Sequence, residues 1–81
     1  MDKIKLFRDI ENNPVDVRYP DACKLAEMVG FKFKGGKGSH KVYSQEGIIE
    51  ILNFQNVHGK AKPYQVRQLI KIIEKYNLLE K

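Results

Sequence analysis

The hydrophobic period of this 81-residue chain changes twice, and those changes limit the folds open to it. Up to Gly30 the apolar residues recur at helical spacing. Ile4, Phe7 and Ile10, with Leu6 beside them, form a first short stripe. Asn12-Asn13-Pro14 ends it, because proline supplies no donor and restricts the residue before it. Val15 to Tyr19 read as a connector. Pro20 suits the first turn of a second helix, where no amide hydrogen is needed, and Asp21 suits the positive end of its dipole. Ala22, Leu25, Ala26 and Val29 form its buried stripe. Gly30 stands where a C-terminal cap is needed, with Phe31 folding back onto the last turn.

At Phe31 the period becomes two. Phe31-Lys32-Phe33-Lys34 alternates as a half-buried strand does. Gly35-Gly36-Lys37-Gly38-Ser39 is a flexible basic loop. β character resumes from His40 to Ser44, Gln45-Glu46-Gly47 reads as a hairpin turn, and Ile48 to Phe54 is strongly β-prone. Three strands with short links favour an antiparallel meander. Gln55 to Lys62 is polar and irregular. The helical period returns after Pro63, where Val66, Leu69, Ile70, Ile73 and Tyr76 mark a core face. The pattern predicts strands near 31–35, 40–45 and 48–54 and helices near 21–29 and 63–76, in the order α-α-β-β-β-α. This is an α+β fold: a three-stranded antiparallel sheet with helices on one face, since neither layer buries its apolar side alone. The length allows one domain, residues 1–81, with one modest core and no cofactor domain.

The charge is unevenly placed. Residues 1–30 carry a net −1, residues 31–62 a net +4 and residues 63–81 a net +2, for +5 overall. A concentrated positive field attracts polyanions, of which RNA and DNA are the commonest in a cytoplasm. A solvated lysine-rich surface is the alternative reading. Cys23 is the one cysteine, so no internal disulfide forms, as suits a reducing compartment, and a buried thiol fits its helix better than a nucleophile. The first ten residues lack the apolar run of a secretion signal, and no segment has the roughly 18 apolar residues of a membrane helix. A cytoplasmic location is expected.

The chemistry-bearing residues are few. The glycine loop lacks the spacing of a phosphate loop and precedes a strand, which excludes nucleotide hydrolysis of that kind. His40, His58 and Cys23 show no metal-ligand spacing, and no metal or cofactor is expected. Ser39 and His40 are neighbours in a strand-like stretch, so they point to opposite faces and form no triad. His40 follows the flexible loop and has Lys37 and Lys41 beside it. Neighbouring positive charge favours a neutral imidazole, which suits a general base, and an ordinary surface histidine is the alternative. His40 shares strand parity with Val42; if Val42 faces the helices, His40 points to the rim between sheet and helix. Lys60, Lys62 and the first amides of the last helix suggest a phosphate site, against a plain polar connector. Tyr43 and Tyr64 are candidates for stacking on bases or for packing.

Leu25-Ala26-Glu27-Met28-Val29-Gly30-Phe31 followed by Lys37-Gly38-Ser39-His40-Lys41-Val42-Tyr43 resembles the start of HicA-family toxins, in which a helix ends in Gly-Phe and a strand precedes Gly-Ser-His. His58-Gly59-Lys60, Lys62-Pro63 and Val66 to Ile73 look like that family's loop and closing helix. The resemblance covers about residues 22–76, with residues 1–19 as an N-terminal helical extension. It departs from the pattern at Lys41, where many members carry a second histidine. The resemblance implies a double-stranded-RNA-binding-like fold, mRNA cleavage without metal, and neutralisation by a HicB-type antitoxin. It places catalysis on His40, with Lys37, Gly38, Ser39, Lys41, Lys60 and Lys62 around the RNA. Two other readings stay open: a non-catalytic RNA-binding module, and a regulatory protein that binds another protein through its sheet.

Overall fold

The computed structural model describes residues 2–80; Met1 and Lys81, the ends of the expected single domain, lie outside them. Helix α1 spans Lys3–Asn12 and α2 spans Tyr19–Met28. Strands β1 (Lys32–Gly35), β2 (His40–Gln45), β3 (Ile48–Val57) and β4 (Lys60–Ala61) follow, then α3 (Pro63–Lys75) and a 3-10 turn at Leu78–Glu80. The Asp2 carboxylate accepts the Lys5 amide at 2.9 Å and starts α1, a cap whose loss costs about 1 kcal/mol. Pro20 lies in the first turn of α2, which begins at Tyr19. The helix closes as the Phe31 amide reaches back to the Ala26 carbonyl at 3.0 Å, which folds the Phe31 side chain into the core.

The sheet is antiparallel in the order β1-β2-β3-β4, so it has four strands where the sequence pattern suggests three. The fourth arises inside the stretch that reads as irregular. His58 and Gly59 both adopt positive φ, 53° and 85°, between the register partners Val57 and Lys60. Two left-handed residues in a row make the tight turn whose twist matches a hairpin. Asn56 Oδ1 accepts the Gly59 amide at 2.7 Å and holds the turn. β3 therefore runs three residues beyond its expected end at Phe54.

All three helices lie on one side of the sheet. Tyr43 from β2 and Leu52 and Phe54 from β3 are fully buried beneath them. Leu25 and Ala26 from α2 and Val66, Leu69 and Ile73 from α3 complete the centre. Leu6, Phe7 and Ile10 of α1 and Val17 of the connector join the same cluster, so α1 and the connector contribute to the core. The rings of Phe33, Tyr43 and Phe54 meet edge to face at 5.9 and 6.0 Å, each contact worth about 1 kcal/mol beyond burial.

Because side chains alternate along a strand, the burial of Tyr43 fixes the rest of β2. Lys41 shares the helix side with Tyr43, while His40, Val42 and Ser44 face the uncovered side. Val42 therefore does not face the helices, and the rim position for His40 that would follow from it does not arise. The same parity turns Ile49, Ile51, Asn53 and Gln55 of β3 to the uncovered side, with Ile49 91% exposed.

Candidate functional site

His40 opens β2 and stands opposite Gln55 of β3, and Val42 stands opposite Asn53. These four residues make the local surface of the uncovered face. Both amide side chains beside the imidazole were outside the sequence-based set. Their signal is the alternation Asn53-Phe54-Gln55, polar on one face and apolar on the other. His40 is exposed and forms no side-chain hydrogen bond within the described structure.

The glycine loop is tied to this strand end. The Ser39 carbonyl accepts the Asn56 amide at 2.9 Å, and the His40 amide donates to the Lys37 carbonyl at 3.2 Å. A Cβ on Gly36 would overlap the main-chain carbonyl of His40, so that position requires glycine for close backbone approach. Lys37, Gly38, Ser39 and His40 are thus contiguous and exposed at one end of the sheet.

The other expected contacts separate. The Lys41 ammonium lies 5.8 Å from the centre of the Tyr19 ring, on the helix side, so neighbours in sequence occupy opposite faces. Lys60 sits two strands away on β4 and pairs with Asp16 at 2.6 Å, which offsets its charge. Lys62 precedes α3, and its carbonyl takes the amides of both Gln65 and Val66 at 3.0 and 3.1 Å. Pro63 has no amide hydrogen, so the first turn of α3 offers a phosphate little beyond the Tyr64 amide. Tyr43 is buried and reaches no base; Tyr64 is 64% exposed.

Gln65 is the buried polar residue among those described and links α3 to the site. Its Oε1 accepts the Gln55 amide at 2.8 Å, a sheet-edge donor that faces away from β2. Its Nε2 donates to the Tyr64 hydroxyl at 3.2 Å. On the opposite flank, the Tyr43 hydroxyl donates to Glu27 Oε2 at 2.8 Å. Burial, and then this carboxylate, push the Tyr43 phenol well above its ordinary range. Burial also pushes the Cys23 thiol up, which suits a packed group and not a nucleophile.

These features define a small α+β domain, three helices against an antiparallel sheet, with an exposed histidine at a glycine-loop strand junction. No helix in the described residues is long and apolar enough to cross a membrane. No family model, curated protein or solved structure matches this chain.

Proposed function

We propose that the protein is a HicA-type toxin: an endoribonuclease that cuts mRNA without a metal ion in the cytoplasm and is held in check by a HicB-type antitoxin. The arrangement of helices and sheet is then a double-stranded-RNA-binding-like fold carrying a catalytic edge. The observation that carries the reading is the placement of His40, exposed on the uncovered sheet face at the end of the Lys37–Ser39 loop. RNA is recognised by phosphate and hydroxyl contacts, and Lys37, the loop amides, Asn53 and Gln55 supply donors around the imidazole. The reaction is attack of a ribose 2′-hydroxyl on its adjacent phosphate. A P–O bond forms to the 2′-oxygen, the bond to the 5′-oxygen breaks, and the leaving oxygen takes up a proton. The products carry a 2′,3′-cyclic phosphate and a 5′-hydroxyl. His40 accepts or delivers the proton, and nearby ammonium groups stabilise the added negative charge.

The test is His40→Ala assayed for RNA cleavage with a chelator present. Loss of a general acid–base lowers the rate by about a hundredfold to ten-thousandfold. Stability should change by less than about 0.5 kcal/mol, because an exposed side chain without hydrogen bonds leaves no cavity. RNA affinity should persist, since phosphates and lysines dominate it. A folded variant that cuts at the wild-type rate removes His40 from the mechanism. One observation favours the second reading, a non-catalytic RNA-binding module: among the described residues no side chain hydrogen-bonds to the His40 imidazole. Wild-type protein that retards RNA without producing fragments selects that reading.

A further inference from the structure

The edges of the sheet are finished in different ways. Along β1 the exposed side chains include Lys32 and Lys34, and the pairing with β2 slips between Phe33 and Gly35. Charge and irregularity of this kind protect an edge from adding a strand. The outer edge of β4 is covered by the connector: the Ala61 amide donates to Val17 and the Gly59 carbonyl accepts from Tyr19, both at 2.9 Å. The outer edge of β3 before Gln55 has no strand or connector over it, although its pairing with β2 shifts register between Tyr43 and Gln45, opposite Ile48 to Leu52.

The hydrogen-bond register identifies what that edge presents. The Asn56 amide bonds to Ser39, the residue just before β2, so Phe54 and Leu52, at alternate positions, also turn their main-chain groups toward β2. Gln55 and Asn53 turn theirs outward, and Ile51 follows where the register shift begins. Gln65 satisfies the Gln55 amide. β4 pairs only with Asn56 and Val57, so Ile51 and Asn53 have no strand beside them. The side chains at this edge are Ile49 and Ile51, 91% and 57% exposed, with no lysine or proline among residues 48–54.

α3 borders the same edge. Gln65 meets Gln55 at one end, and Lys75 and Tyr76 hold Glu50 at 2.9 and 2.7 Å at the other. Between them Tyr64, Gln68, Lys71 and Lys75 share one helical face by spacing. Tyr64, Arg67, Gln68 and Lys71 line a shallow concavity of about 340 Å³ on the surface of α3.

We propose that residues 49–53 of β3 form a docking site that adds one extended strand from a partner protein. That strand is apolar on the side lying over Ile49 and Ile51 and acidic on the side facing Lys71 and α3. Alternating outward N–H and C=O groups are matched by another main chain; phosphates supply acceptors alone. Acidic side chains complement Lys71 on the helix face beside the edge, where Lys75 is already paired with Glu50. A second copy of this chain fits worse, because pairing β3 with β3 sets two basic α3 faces side by side. The inference stands independently of the cleavage reading, since it uses neither His40 nor the glycine loop.

The test is amide hydrogen exchange on the full chain with a capped synthetic octapeptide of alternating valine and glutamate. At ten times the Kd, mass action slows exchange at Ile51 and Asn53 about tenfold. Ile51→Lys, a surface change, should abolish that protection while the protein melts as the wild type does. Lys71→Glu should weaken the valine–glutamate peptide and strengthen its valine–lysine counterpart. Protection of Ile51 and Asn53 that follows protein concentration alone assigns the edge to a second copy and overturns the proposal. So does protection by single-stranded RNA in place of peptide, or unchanged exchange with both peptides.

Discussion

Replacing Tyr43 by phenylalanine removes one buried oxygen, keeps the ring, and tests how firmly its hydrogen bond to Glu27 ties β2 to α2. The Tyr43 side chain is fully buried, and its hydroxyl donates to Glu27 at 2.8 Å. A hydrogen bond to a charged group is worth about 1.5–3 kcal/mol net. Glu27 is exposed, so water rehydrates its carboxylate once the phenol is gone, which puts the expected loss near the lower bound. Unfolding entropy near 60 °C is about 2.1 cal/mol/K per residue, or about 170 cal/mol/K for this chain. A loss of about 1.5 kcal/mol then lowers Tm by about 9 °C. Glu27→Ala leaves the buried hydroxyl without that acceptor and should cost at least as much, although alanine favours the helix slightly. The double variant should be little worse than Tyr43→Phe, giving a coupling energy of about 1 kcal/mol. The assay is thermal melting of the four proteins at neutral pH. Additive losses, or a Tyr43→Phe melt within about 2 °C of wild type, would refute the claim that this contact anchors the strand.

Two other substitutions probe the site and the far end of the sheet. Gly36→Ala must push the loop away from the His40 carbonyl, at about 1–3 kcal/mol, and cleavage should fall with it; a stable variant with full activity would show that the close approach is dispensable. Hydrogen bonds from Lys75 and then Tyr76 hold the Glu50 carboxyl down at about 2, below its ordinary 4.5. Its stabilising contribution is therefore complete above about pH 4.5 and is lost as the pH falls through 2. Glu50→Gln should flatten the fall in stability across that window, measured by denaturant melts; an unchanged acid limb would sink the assignment.

The helices were legible because their periods are clean. Val66, Leu69 and Ile73 repeat as α3 requires, and Ala22, Leu25 and Ala26 do so in α2. The faces of the sheet were less legible. Val42 and Tyr43 are adjacent and both β-prone, so composition alone does not say which goes inward; the aromatic contacts to Phe33 and Phe54 decide it. Ile48 to Phe54 carries apolar residues on both faces, with a register shift between Tyr43 and Gln45 on its partner. The final hairpin was hidden because His58, an uncommon residue at positive φ, fills the place where asparagine or aspartate signals such a turn. Lys60 read as a phosphate ligand because its partner Asp16 is forty-four positions away, beyond any local pattern.

The separation of His40 from Lys41 changes which cations can serve the proposed reaction. Catalysis on the uncovered face draws on lysines of that face. Lys41 lies on the other side, against Tyr19. On β1, Lys32 stands opposite Ser44 and Phe33 opposite the buried Tyr43, so Lys32 belongs to the uncovered face, and Lys34, at the register shift before Gly35, lines one concavity with Lys32 and Ser44. That concavity reaches Glu46 at the β2–β3 turn, and neither lysine forms an ion pair among the described residues. Lys34 should therefore contribute more to cleavage than Lys41, although Lys41 adjoins the histidine in sequence. Both ammonium groups are exposed and screened by salt, so the effect falls short of the roughly hundredfold of a dedicated oxyanion donor. A drop of about three- to tenfold for Lys34→Ala, larger at low salt, is expected, with Lys41→Ala close to wild type. Single-turnover cleavage at two ionic strengths separates the two variants. If Lys41→Ala loses more activity than Lys34→Ala, the RNA lies over the helix side of the strand end, and the uncovered face is not where the chain is cut.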